Sequence, residues 1–293
     1  MKKQWPPYAW VCFSMCVGVM GTALASPLYP LYQAQWHLLP SHITEVFVLY
    51  MVAALASLML LGSITSRYGF FKVLRAGVML MTVGVLLSAL STNIWMFGAS
   101  RVLIGLASGM ITTAASIGLT QLNTSGDSQR AAATTSLTIA FGFGLGPIVG
   151  GLVAQWAPYP LQSAYIPSLV LGLLAIYALF QVRIPAELLP PKPAHGLTLA
   201  QLMPRLTFPE RAVLRPYWVA AMGAFCAFDM FSLFASLAPS FMDKMVPWHG
   251  PAISGPSIGL ILFLSAAVQF AAKSWVTKKI LITGYLSLAV CNL

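Results

Sequence analysis

The chain has 293 residues, 58% of them hydrophobic and 8% charged, with a formal net charge of +10 and a mean hydropathy of +0.82. An ordinary soluble domain carries about 25% charged residues, so a water-soluble enzyme is excluded and an all-α, polytopic membrane bundle is indicated. The basic residues are scattered between apolar runs and form no single stripe, which argues against nucleic acid as a partner and makes them topology signals.

Lys2 and Lys3 precede an uncharged run from about Tyr8 to Leu31, long enough at 1.5 Å per residue to cross a hydrocarbon core of about 30 Å. Ala23-Leu24-Ala25 resembles a signal-peptidase site, so a cleaved leader competes with a first span. The apolar run continues past that site, which favours the span. Ser26-Pro27-Leu28-Tyr29-Pro30 either breaks the outer end of this span or ends it. Span two covers Ile43 to Ile64, with Glu45 as a solvated charge at its start, and a basic link follows from Arg67 to Arg75. Span three is Val73 to Ser91 and span four Ile94 to Leu119, turned by Thr92 and Asn93, with Arg101 inside span four.

Span five, Ala131 to Ala154, contains Gly142-Phe143-Gly144-Leu145-Gly146-Pro147-Ile148-Val149-Gly150-Gly151. In water each glycine costs about 1 kcal/mol of helix relative to alanine and proline about 3, but in lipid the backbone must bond internally, which forces helix. Gly142, Gly146 and Gly150 then line one stripe where another helix can approach closely, and Pro147 is expected to bend the helix. Span six is Ala164 to Val182.

Arg183 to Pro216 holds seven prolines, five basic residues and two acids, and reads as a loop between two sets of spans. Residues 1–182 form a six-helix half on this reading, 183–216 the loop, and 217–293 an incomplete second half. Span seven is Tyr217 to Ser240 with Asp229 near its middle, and span eight Ser254 to Ala272. The last apolar run, Ile280 to Leu293, reaches about 21 Å as a helix. It is too short for the core, so the chain reads as a truncated product of about nine spans. By the positive-inside rule the N-terminus, the 67–75 link, the central loop and the 273–279 link are cytoplasmic.

Three motifs carry a resemblance to the major facilitator superfamily. Gly62, Arg67, Gly69 and Lys72 resemble the loop signature between spans two and three, although Ser66 and Phe70 stand where the family has an acidic and a basic residue. Arg101 followed by Gly105 and Gly109 is similar to the span-four motif. Residues 142–151 match Gly-x-x-x-Gly-Pro-x-x-Gly-Gly at every fixed position, including Gly151, and resemble the span-five signature of the drug and proton antiporter branch. The resemblance implies a multi-pass protein of the cell (inner) membrane, monomeric, with a gate or hinge at these glycines and charges. Its partners would be the lipid bilayer, protons and a small-molecule substrate.

Among ionisable groups inside spans, Arg101 either faces the central cavity or snorkels outward, and Asp229 is the one mid-span carboxylate. Asp229 is therefore the candidate proton carrier and Arg101 its charge partner or a substrate contact. Tyr29, Phe225 and Phe228 are candidate apolar substrate contacts, whereas Trp5, Trp10, Trp36, Trp156, Trp218 and Trp248 fit a headgroup-level belt. Cys12, Cys16, Cys226 and Cys291 lie in apolar runs and suggest neither a disulfide framework nor a metal site. The four histidines lie in predicted loops and no HExxH, Walker or GxGxxG motif occurs, so no enzyme and no cofactor is implied. The expected function is proton-coupled efflux of a small amphipathic compound by alternating access. Proton-coupled uptake of a sugar or organic acid is the alternative within the class, and a non-transporting fragment or membrane interaction protein the alternative outside it.

Overall fold

The computed structural model describes residues 7–123, 127–182, 211–236, 239, 241–242, 247, 250–272 and 275–291, and every regular element among them is helical. The elements are α1 (Pro7–Ala23), a 3-10 turn (Ser26–Leu28), α2 (Tyr29–Trp36), α3 (Pro40–Tyr68), α4 (Phe70–Ala89), α5 (Ile94–Gln121), α6 (Ser128–Trp156), the short α7 (Pro160–Ser163), α8 (Ile166–Gln181), α9 (Arg211–Ser236), α10 (Pro251–Ala271) and α11 (Thr277–Cys291). Among the described residues seven stretches are long and apolar enough to cross a membrane: Pro7–Trp36, Pro40–Leu60, Phe70–Ala89, Ile94–Gln121, Arg130–Trp156, Pro160–Gln181 and Pro251–Gln269. They correspond to expected spans one to six and eight. The runs expected at 217–240 and 280–293 fall in α9 and α11, which are not among the seven; Leu237, Ala238, Ser240, Asn292 and Leu293 lie outside the described residues.

The loop expected at 183–216 lies outside the described residues up to Glu210, but its last six residues are already helical in α9. Arg211 to Arg215 contains neither proline nor glycine, and Pro216, the sixth residue of α9, removes only the N–H that would reach the Ala212 carbonyl, so the helix starts ahead of its apolar run.

The first span is broken by its prolines. Pro27 and Pro30 lack the N–H groups that would reach back four residues to Ala23 and Ser26, so α1 stops at Ala23. The chain tightens through a 3-10 turn, in which the Leu28 N–H donates to the Ala25 carbonyl at 3.0 Å, and restarts as α2. At the start of α3 the Leu39 N–H donates to His42 Nδ1 at 3.2 Å, and at the start of α5 Asn93 Oδ1 accepts from the Met96 N–H at 2.9 Å. Between α3 and α4 there is no loop. Gly69 alone caps both helices, at φ 84 and ψ 146, a backbone region open to glycine and strained for any other residue. Gly62 lies within α3, so the signature from 62 to 72 is two helix ends joined at one residue.

Small residues set how the helices approach. A Cβ on Gly142, Gly146 or Gly150 would stand 2.5–2.6 Å from the carbonyl oxygens of Cys16, Met20 and Leu24 respectively, so α6 lies parallel to α1 with backbone against backbone. On a second face of α6, Gly144 and Gly151 meet the backbone of α10 at Gly259 and Pro251, and Gly255 of α10 meets the Pro147 carbonyl. Residue numbers rise along α6 as they fall along α10, so this pair is antiparallel. Helix α6 is a single element through Pro147. Gly105 and Gly109 of α5 meet α3 at Tyr50, Ala53 and Ser57, and the Ser57 hydroxyl donates to the Leu106 carbonyl at 2.7 Å. The outer faces carry large apolar side chains, such as Val48, Val52, Leu55 and Met59 on α3.

Candidate functional site

Among the described residues the largest fully buried side chain is a charged one, Arg101, at 1% exposure. It does not snorkel. Its position on α5 directs the guanidinium into the space between α1, α4 and α5. There Nη1 donates to the Thr22 carbonyl at 3.3 Å and Nη2 to Ser88 Oγ at 3.0 Å, while the ring of Phe97 lies 5.0 Å away. Among the described residues Nε has no hydrogen-bond partner, and no ion pair to a carboxylate is present there. The charge is instead held by dipoles. The Thr22 carbonyl belongs to the last turn of α1, whose break leaves it at the negative end of a helix, and the aromatic face adds cation–π attraction.

Hydroxyl groups surround this cation. Ser88 Oγ lies 2.8 Å from Ser100 Oγ, and the Tyr32 and Tyr165 hydroxyls lie 3.0 Å apart, both buried. Tyr29, at 2% exposure, and Tyr50 complete the set; the Tyr50 hydroxyl faces Thr22 and Ser108, and all four tyrosines are near enough to feel the charge of Arg101. Trp36 packs at 4.7 Å on Tyr32, and Tyr32 at 4.4 Å on Phe97. Trp36, the last residue of the first candidate span, thus also packs on the wall of this site, its ring 6.1 Å from that of Phe97. Trp156 and Trp218 are exposed, as belt residues are, while Trp5 and Trp248 lie outside the described residues.

The sequence-predicted residues separate into two groups. Arg101 and Tyr29 share the buried cage. Phe225, Phe228 and Asp229 share one exposed face of α9, at i, i+3 and i+4, and Asp229 makes no ion pair with Arg101. Of the gate residues, Lys72 is exposed on α4, and Arg67 is half-buried at the end of α3. Sequence reasoning missed Thr22, Tyr32, Tyr50, Ser88, Ser100 and Tyr165. Their common signal is a hydroxyl within an apolar run, which acquires meaning only when the helices that carry it are paired.

A second buried-side cation, Arg75, serves structure. Its Nε and Nη2 both donate to the Leu179 carbonyl, at 3.1 and 2.6 Å, and its guanidinium lies 4.4 Å from the Phe71 ring and 4.6 Å from Phe180. It therefore fastens the C-terminal end of α8 to α4. Among the described residues no group of three His, Cys, Asp or Glu could hold a metal ion.

The helical order and the glycine-mediated pairing have counterparts among known proteins. The riboflavin transporter RibZ of Clostridioides difficile (strain 630) is 19% identical over 177 residues, covering 60% of this chain and 38% of that protein. Multidrug resistance protein 2 of Bacillus subtilis (strain 168) is 25% identical over 151 residues, covering 50% of this chain and 38% of that protein. The chain thus matches well under half the length of these relatives. A crystal structure of a D-xylose–proton symporter superposes with a TM-score of 0.63 at 15% identity over 92% of this chain and 68% of that one, which establishes the fold. The family model of the Major Facilitator Superfamily matches residues 11–293. This chain, with its all-helical bundle and its signature glycines on α6, belongs to the Major Facilitator Superfamily of membrane transport proteins.

Proposed function

We propose that the chain acts in proton-coupled efflux of a small amphipathic compound by alternating access. The carrying observation is the buried charge of Arg101, which among the described residues has no carboxylate partner and is held by a carbonyl, a hydroxyl and an aromatic face. A fixed buried cation costs several kcal/mol unless its surroundings are arranged for it, and a transporter gains from such a charge because loading a proton elsewhere alters the field across the pathway. Asp229 would carry that proton. Arg101 would hold the opposing charge, and Tyr29, with Phe225 and Phe228, would meet the apolar part of the substrate as the helices before and after residues 183–210 rock about the midplane. The N-terminus and central loop would be cytoplasmic, and the two helix sets would correspond to residues 1–182 and 217–293. The efflux direction is supported by the match of residues 142–151 to the antiporter signature and by relatives named for multidrug resistance and multidrug efflux.

The test uses the 293-residue chain in liposomes loaded with a pH-sensitive dye, with ethidium as the transported probe. An imposed proton gradient should drive ethidium uphill, and Asp229→Asn should abolish the uphill movement. Ethidium flux of equal size with and without the gradient, or unchanged coupling in Asp229→Asn, would overturn the proposal.

A further inference from the structure

Where its prolines break it, the first span presents two faces. Tyr29, Tyr32 and Trp36 turn toward the Arg101 cage, whereas Pro27, Pro30, Leu31 and Ala34, at i, i+3, i+4 and i+7, take no part in it. That second face lines a cavity of about 120 Å³. The opposite wall comes from beyond residues 183–210, with Pro239, Met242, Pro251, Ile253 and Ser254. Ser254 carries the one polar side chain of this lining, and its hydroxyl turns back onto its own helix, where it donates to the Pro251 carbonyl at 3.5 Å. Both walls are set against α6. A Cβ on Gly150 would stand 2.6 Å from the Leu24 carbonyl oxygen and one on Gly151 2.2 Å from that of Pro251, so adjacent residues of a third helix fix the spacing between them.

We infer that this cavity is a binding site for a small uncharged aromatic ring, separate from the Arg101 cage. An apolar protein cavity of about 150 Å³ stays dry and binds benzene, and this one is close to that size. Water is a poor occupant. A buried water needs about two to four polar partners, and the side chains here supply one hydroxyl that is already engaged. The walls do not fill the space themselves. Proline has a fixed φ and no rotatable side chain, and two prolines stand on each side: Pro27 and Pro30 against Pro239 and Pro251. A charged group is excluded, because no lining side chain carries an opposing charge. An acyl chain would surrender its torsional freedom to fit so short a space, whereas a rigid ring has little to lose. The thioether of Met242 suits a ring edge as well. A ring seated here touches helices before and after residues 183–210 at once.

The experiment uses the full 293-residue chain in detergent micelles, with fluorobenzene as the probe and its fluorine NMR signal as the readout. The parent should show a saturable bound signal, displaced from that of fluorobenzene dissolved in micelles alone. Ala34→Phe puts a ring into the cavity from its own wall and should weaken binding about tenfold or more, because a space packed to interior density has no room for a second ring. Leu31→Ala enlarges the cavity and should admit fluoronaphthalene, which the parent excludes. Arg101→Met, altered outside the cavity, should bind fluorobenzene as the parent does. Absence of a saturable signal in the parent, or equal binding by the parent and Ala34→Phe, would place the probe in the micelle and overturn the inference. Equal binding of fluoronaphthalene by the parent and Leu31→Ala would overturn it too, a comparison that stands even where Ala34→Phe does not fold. Loss of binding in Arg101→Met would make the cavity part of the cage, against the separate site. No transport enters the readout, so a bound ring upholds the site even where ethidium movement fails.

Discussion

The hydroxyls of Tyr32 and Tyr165 lie 3.0 Å apart although 133 residues separate them in the chain. One stands on α2, after the break in the first span, and the other immediately precedes α8. Their contact ties the restarted half of the first span to the sixth. Both side chains are buried, so each hydroxyl supplies part of what water would give the other. Tyr32 also meets the Ser91 hydroxyl and Tyr165 the Ser88 hydroxyl, so removing either phenol leaves its partner one bond short, whereas removing both does so at neither. Tyr32→Phe and Tyr165→Phe should each lower stability by about 1 kcal/mol, and the double variant should cost clearly less than their sum. Thermal unfolding of the four proteins in detergent gives the cycle; strict additivity would show that the pair does not interact.

Arg101 donates to two partners at once, and its planar fork suits that geometry in a way an ammonium does not. Arg101→Lys should therefore reduce ethidium transport by more than tenfold despite keeping the charge. Arg101→Met removes the charge and its desolvation cost together, and should leave the melting temperature close to that of the parent while abolishing transport. Transport by the lysine variant at the parental rate would show that charge alone suffices.

Glycines that face backbone and glycines that face a flexible side chain should respond differently to a methyl group. At Gly146 a Cβ would stand 2.5 Å from the Met20 carbonyl oxygen; at Gly18 it would stand 2.6 Å from Ile111 Cδ1, a group that can rotate away. Gly146→Ala should cost about 1–3 kcal/mol through forced separation of α6 from α1. Gly18→Ala should cost less than half as much. Equal losses, measured by the same unfolding assay, would contradict the distinction.

For Arg75 the prediction concerns the end of α8. Arg75→Gln loses the stacking on Phe71 and Phe180 and the charged bonds to the Leu179 carbonyl, at an expected cost of about 1–2 kcal/mol. Amide hydrogen exchange in the last turn of α8 should rise in the variant, with α1 and α6 unaffected. Protection unchanged around Leu179 would remove Arg75 from this role.

The arrangement of helices was largely legible because lipid makes backbone bonding obligatory and hydropathy then marks each span. The glycine stripe on α6 was legible too: Gly142, Gly146 and Gly150 were expected to meet another helix, and α1 is that helix. Hidden from the sequence was the second stripe, Gly144 and Gly151, because its partner α10 lies beyond a long separating segment and nothing local announces the pairing. The site was only half legible. A lone arginine in a span is conspicuous, but the groups that tolerate it are ordinary residues such as Thr22 and Ser88, whose roles depend on three helices converging. Asp229 and Arg101 looked like natural partners as opposite charges in neighbouring halves, yet their helices place one on an exposed face and the other in the interior.

Gly69 joins two long helices with no chain to spare. A connection of several residues would absorb a shift of one helix by changing its own shape, but a single shared cap cannot. Whatever displaces the end of α3 must carry the beginning of α4 with it, and the ring of Phe70, the next residue, lies against Gly118 of α5, where a Cβ would stand 2.5 Å from Cδ2. Three of the spans are thereby joined at this end of the bundle, so α3, α4 and α5, the helix that holds Arg101, share one rigid corner.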